Sequence, residues 1–227
     1  TNDAFVAMFS STGSSLTWGT YFGGTGIEQG NTVICDPVTG AIAVAGNTNS
    51  TSGIATTNAH QAAYGGGVQD GFVSYLSAAG AVLWSTYYGG SSLDYIQGLC
   101  FDNSRNLVIT GGTFSSNGIS SPFALQPLKG GDYDAYVVKF NTLGQRIWST
   151  YFGGLYYDYA NSVACDNNNR LVIAGYTTSS PTSGLYGSDG IATAGSAQTL
   201  YMGGLYDAFV TKFKVDTFVQ ITQPFID

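Results

Sequence analysis

Trp84-Ser85-Thr86-Tyr87-Tyr88-Gly89-Gly90 decides the fold, because it is written three times. It recurs as Trp18-Gly19-Thr20-Tyr21-Phe22-Gly23-Gly24 and as Trp148-Ser149-Thr150-Tyr151-Phe152-Gly153-Gly154, which accounts for all three tryptophans. A second motif keeps the same phase: Asp3-Ala4-Phe5-Val6, Asp70-Gly71-Phe72-Val73, Asp134-Ala135-Tyr136-Val137 and Asp207-Ala208-Phe209-Val210. Acids follow in register, Glu28, Asp94 and Asp158 ten residues after each Trp, and Asp36, Asp102 and Asp166 eighteen after. Self-similarity at a fixed period marks a repeat architecture, and it takes precedence over any local reading.

Each unit runs 64 to 73 residues between successive Asp-x-aromatic-Val motifs and reads as four short strands. In the first, Phe5/Phe9, Phe72/Leu76, Tyr136/Phe140 and Phe209/Phe213 place large apolar groups on one face by alternation. A Gly-bearing turn leads to the Trp strand, which the Gly-Gly pair ends. The third strand carries Val33, Leu99 or Val163 and stops at the turn acids Asp36, Asp102 and Asp166. The fourth is Ala41–Ala45, Leu107–Thr110 or Leu171–Ala174. Tandem units of four antiparallel strands without helical periodicity predict an all-β β-propeller with four-stranded blades of about 65 residues. A sandwich or solenoid is the competing architecture, but solenoid coils are usually shorter and a sandwich needs no phased repeat. The units start near 3, 70, 134 and 207 and fill residues 1–217, giving about three and a half blades, a partial ring. Residues 218–227 read as a last strand, Phe218–Thr222, and a linker toward a following domain. The chain reads as an excised segment of something longer.

Composition narrows function by exclusion. Of the 227 residues 9% are charged and 14% aromatic, which rules out a disordered chain or a coiled coil. A net charge of −7 with seven Lys and Arg argues against nucleic-acid binding. No apolar run reaches the length of a membrane span. Ten of the 14 acids are the phased ones above, and a residue used in every unit reads as turn or strand-end structure, not catalysis. The tryptophans Trp18, Trp84 and Trp148 are structural by the same logic. His60, the only histidine, aligns with Leu125 and reads as a loop residue. Cys35 and Cys165 immediately precede their turn acid whereas Cys100 lies two before its own. Alternation therefore turns Cys100 to the opposite face, which argues against a metal or disulfide ring. No catalytic set and no metal ligands are assigned. Calcium is a minor candidate at Asp132-Tyr133-Asp134 and at the turn Asp166-Asn167-Asn168-Asn169, although the EF-hand spacing is missing.

The motifs Asp-Ala-Phe-Val-x-Lys-Phe, Trp-Ser-Thr-Tyr-Phe-Gly-Gly and Ile-Ala-Gly-x-Thr-x-Ser together resemble the bacterial β-propeller repeat called the SBBP repeat, over roughly residues 3–215. The resemblance implies a propeller within a large, secreted, multidomain surface protein, extracellular or at the cell surface, with no associated catalytic residues; calcium aside, the residues themselves call for no cofactor. The expected function is thus a non-catalytic scaffold, adhesion or ligand-display element. The alternatives are part of a propeller hydrolase or lyase whose catalytic residues lie in other blades, and a filament or surface-layer subunit. Expected partners are a protein or glycan surface ligand and neighbouring blades of a longer chain, with no nucleic acid and no membrane insertion. The long connections following the fourth strands are where display would occur, and Tyr176, Tyr186 and Tyr201 are the candidate ligand-binding residues.

Overall fold

A computed structural model describes residues 2–180, 191–193 and 195–213. The expected strand at 218–222, the linker and Tyr186 lie outside these residues. Thirteen strands and no helix occur among the described residues. β1 (Ala4–Phe9) and β2 (Leu16–Phe22) form a two-stranded sheet. β3 (Glu28–Cys35), β4 (Ile42–Thr48), β5 (Asp70–Leu76) and β6 (Val82–Tyr88) form a four-stranded one. The next comprises β7 (Asp94–Phe101), β8 (Leu107–Thr113), β9 (Asp134–Phe140) and β10 (Arg146–Phe152). β11 (Asp158–Cys165), β12 (Leu171–Thr177) and β13 (Asp207–Phe213) complete the set. All of these pairs are antiparallel. These are propeller blades, two of them whole.

The sheets are offset from the motif units by two strands. β3 and β4 come from the first unit but hydrogen-bond to β5 and β6 of the second, and the next sheet is assembled likewise. The chain therefore changes sheet after the Gly-Gly pair and again only after the next Trp strand. Within each sheet the ladder from the fourth-strand motif to the Asp-x-aromatic-Val motif is unbroken, as in Ile42↔Leu76 through Thr48↔Asp70.

Neighbouring sheets pack face to face, each burying a face of large side chains against a face of smaller ones. Phe72, Leu76 and Tyr87 meet Ala4, Val6 and Phe22 of the first sheet. Tyr136, Phe140 and Tyr151 meet Ala43, Ala45 and Val73, and Phe209 and Phe213 meet Ala135 and Val137. β3, β7 and β11 lie side by side where the sheets converge. Each of these strands carries a β-bulge at the same place, so that Asn31, Gln97 and Asn161 have no ladder partner.

The facing of sheets also brings two of the cysteines near each other. Cys100 does sit on the opposite face from the Cys35 and Cys165 positions, but opposite faces of adjacent sheets meet. Cys100 is buried in the cluster against which Cys165 packs, so the two approach across the interface. All three thiols are free, and burial pushes that of Cys100 up to about 12.

Candidate functional site

The phased acids are bonded to backbone amides of their turns and to side chains of the adjoining strand ends. Asp94 accepts from the Gly90 amide (2.7 Å), from the Ser115 hydroxyl (2.8 Å) and from Thr113 Oγ1. Asp158 repeats this with Gly154, Ser179 and Thr177, and Glu28 with Gly24, Ser50 and Thr48. The Thr-x-Ser at the end of the fourth strand is thus the donor set for the acid that starts the third. Asp134 accepts from the amides of Gly130 and Gly131 and from Gln126 Nε2, and Asp207 from the Met202 amide. Asp70 accepts from the Gly65 amide, but its Oδ1 is buried without a partner. Among the described residues Asp3 makes no such bond; its carboxyl lies beside Gly23, as those of Asp70 and Asp94 flank Gly89. Asp36, Asp102 and Asp166 each accept turn amides two residues on, as Asx-turns do. Asp102 also pairs with Lys139 at 2.5 Å, and Asp166 with Arg170 and Lys212. The candidate calcium turn at Asp166 thereby has its carboxylate facing two cations. His60 is half-buried between Tyr88 and Phe140, and desolvation lowers its pKa to about 4.

Chemistry that differs between blades gathers at one place. Between the third and fourth sheets, at the end where the phased acids start β7 and β11, lies a cleft of ≈ 650 Å³ lined chiefly by tyrosine. Its floor is Tyr133 and Tyr159, which are 5% and 9% exposed. Tyr95, Phe114 and Tyr176 form the walls, and the exposed Tyr157 and Tyr206 form the rim. The bulge residues Gln97 and Asn161 supply amide groups. Three rings run nearly parallel: Tyr133 on Tyr159 with centroids 5.5 Å apart and Tyr159 on Tyr176 at 5.2 Å. Among the described residues no charged side chain lines the cleft.

A single glycine makes room for it. A Cβ on Gly112 would come within 2.5 Å of both the Tyr133 and the Tyr159 rings. The corresponding residue one blade earlier is Asn47, whose Oδ1 accepts from the Ile96 amide at 3.0 Å. The earlier bulge residue, Asn31, donates to the Ile96 carbonyl at 2.8 Å. At that junction two asparagines therefore close the seam between sheets. One junction later Gly112 and Gln97 occupy their positions, and the seam opens into the cleft. The walls follow the same logic, since Tyr95, Phe114 and Tyr133 stand where the preceding blade has Gln29, Asn49 and Gln69.

The hydroxyls of Tyr133, Tyr159 and Tyr176 are held in the neutral form by their surroundings. Burial raises the pKa of Tyr133 and Tyr176, and desolvation lifts Tyr159 to about 12 against an opposing bond to Gln97. The Tyr133 hydroxyl is buried beside that of Tyr159, whose pKa it also holds down, but makes no hydrogen bond of good geometry. Of the residues singled out from sequence, Tyr176 lines the cleft. Tyr201 does not; its hydroxyl donates to the Gly204 carbonyl in its own loop. The other ring positions, Tyr95, Phe114, Tyr133, Tyr157, Tyr159 and Tyr206, escape a reading that looks only to long loops.

Comparison with known proteins agrees with this architecture. A segment of 140 residues is 25% identical to an uncharacterized WD repeat-containing protein of Acanthamoeba polyphaga mimivirus, covering 59% of this chain and 10% of that protein. The chain thus spans about a tenth of the length of this relative. Residues 147–181 match the family model of the SBBP β-propeller repeat, and that segment contains the Trp148 motif, the Asp158 strand and the Gly-x-Thr-x-Ser strand. The matched segment is one SBBP β-propeller repeat, and the other blades restate its motifs.

Proposed function

We propose that the chain is a non-catalytic propeller module of a secreted bacterial surface protein, and that it displays the tyrosine cleft to an external ligand. The observation that carries this reading is the replacement of an amide-closed seam at Asn31 and Asn47 by a tyrosine-lined opening one junction later. Packing alone does not call for the change, because the preceding junction solves the same problem with polar side chains. Function resides preferentially where a rigid scaffold varies what it presents. The absence of charge from the lining favours binding over acid–base chemistry. The test is an array of surface glycans and peptides probed with the chain and with the Tyr157→Ala/Asn161→Ala double variant, each bound compound then being assayed for turnover. Ligands lost in the variant and recovered unchanged support display. A bound compound converted to product makes the chain part of an enzyme.

A further inference from the structure

We infer that the tyrosine cleft takes a neutral sugar, a pyranose unit of an uncharged glycan, by C–H contact with tyrosine rings and hydrogen bonds from phenol and amide groups. The inference rests on the cleft being the ligand site.

The lining combines two properties that seldom coincide elsewhere in the fold. It is strongly aromatic, and it is rich in neutral groups that both donate and accept. A sugar ring has the matching duality, apolar C–H faces and hydroxyls at its edge. Tyr157 and Tyr206 at the rim offer aromatic surface to such a face. Gln97 and Asn161 are side-chain amides, each carrying a donor and an acceptor of the kind that can bridge neighbouring hydroxyls. Both are bulge residues, and a bulge re-aims a side chain out of the ladder. At the floor the Tyr133 hydroxyl, buried beside that of Tyr159 without a well-formed hydrogen bond, is a group that an incoming hydroxyl would satisfy. The ≈ 650 Å³ volume falls within the range of small-molecule sites.

Charge selects among ligands. Among the described residues no Lys or Arg lines the cleft to meet a carboxylate or phosphate. Asp94, Asp134 and Asp158 stand behind it and the whole chain carries −7, so an acidic sugar meets repulsion without compensation. A quaternary ammonium or a proline-rich peptide also suits aromatic walls, but neither needs the floor hydroxyl or the two amides.

The experiment is ¹H–¹⁵N NMR titration of the chain with lactose, cellobiose, maltose and chitobiose. Sialyllactose serves as the acidic counterpart, and choline and a proline-rich decapeptide as the other aromatic-seeking ligands. The expected result is saturable shifts of the Gly112 and Asn161 signals with at least one neutral disaccharide, at a Kd of about 1 mM or tighter. Tyr157→Ala and Asn161→Ala each weaken it about tenfold and leave the melting temperature unchanged. Equal or tighter binding of sialyllactose overturns the neutral class. Shifts with choline or the peptide alone overturn the sugar and leave the cleft a ligand site. No shift with any probe removes both.

Discussion

The indole nitrogen of Trp84 donates to the carbonyl of Thr142, 3.1 Å away in the next blade. Trp18 makes the same bond to Ala78 one blade earlier. Trp18 and Trp84 thus reach across the interface to the hairpin turn of the following sheet, and the ring of each lies against that turn's glycine. The Trp motif and the turn Gly recur together because they are two halves of one contact.

That contact predicts unequal costs for the same substitution. Gly144 has φ +77° and a Cβ there would stand 2.7 Å from the Trp84 ring, while Gly13 has φ +69° and open space. Gly13→Ala pays only the left-handed backbone strain, roughly 1 kcal/mol. Gly144→Ala adds displacement of the indole and should cost about 3 kcal/mol. Urea unfolding of both variants measures the difference, and equal midpoints would show that the indole is not seated on the turn.

The acid cages predict a similar asymmetry. Asp94→Ala leaves the Gly90 amide and the Thr113 and Ser115 hydroxyls without their buried acceptor, at roughly 3 kcal/mol. Asp166→Ala removes an acceptor from an exposed turn with solvated cations, and unfolding midpoints should place it far closer to the parent chain.

Protonation should set an acidic optimum of stability. Burial pushes Asp70 up to about 7 and Asp94 and Asp134 up to about 6. Between pH 4 and 7 the folded state then holds protons that the unfolded chain has released, so stability falls as pH rises through this window. The turn acids act oppositely. Burial alone would raise Asp36 and Asp102, but Thr39 and the Val38 amide for the first, and Lys139 and Asn106 for the second, lower them, and this stability disappears as pH falls below about 4. Melting temperature should therefore peak near pH 4–5. Asp70→Asn should flatten the alkaline limb, since the partnerless Oδ1 no longer ionises. A melting temperature that climbs from pH 5 to pH 8 contradicts this assignment.

What the sequence made legible was whatever repeats. The phase of Trp18, Trp84 and Trp148 located every strand among the described residues, and the placing of acids at turn starts followed from it. The motifs did not reveal which strands share a sheet. Antiparallel neighbours in sequence look alike whether the chain turns back or crosses to the next blade, so the two-strand offset needed the ladder Ile42↔Leu76. The cleft was hidden for the converse reason. Its rings are spread from Tyr95 to Tyr206 and converge only because adjacent sheets meet at β7 and β11. A signal did exist: Gln29 becomes Tyr95 and then Tyr159, and Asn47 becomes Gly112 and then Tyr176. Departures from the repeat carried the site, and the repeat itself carried the fold.

The bare face of the first sheet predicts self-association that two substitutions relieve. Phe5 and Tyr21 occupy positions that other blades bury against a neighbour, and together they leave a contiguous aromatic surface in water. Light scattering of the chain should show concentration-dependent growth, reduced by Phe5→Ser/Tyr21→Ser. A monodisperse parent at high concentration would contradict this.

Tyr133 should show stability and binding moving in opposite directions. Its hydroxyl is buried with only a poorly aligned contact to the Tyr159 hydroxyl, so the folded state bears the cost of desolvating it while gaining little in return. Tyr133→Phe removes that cost and keeps the ring stacked on Tyr159 and beside Phe114. The variant should gain about 1 kcal/mol, which at this chain length raises the melting temperature by roughly 2–4 °C. If the hydroxyl exists to meet a ligand, the same change should weaken sugar binding several-fold, because the incoming hydroxyl then finds only a C–H edge. A structural tyrosine would behave otherwise, losing stability with the hydroxyl and leaving affinity alone. Thermal melts and the NMR titration on one pair of proteins separate these outcomes.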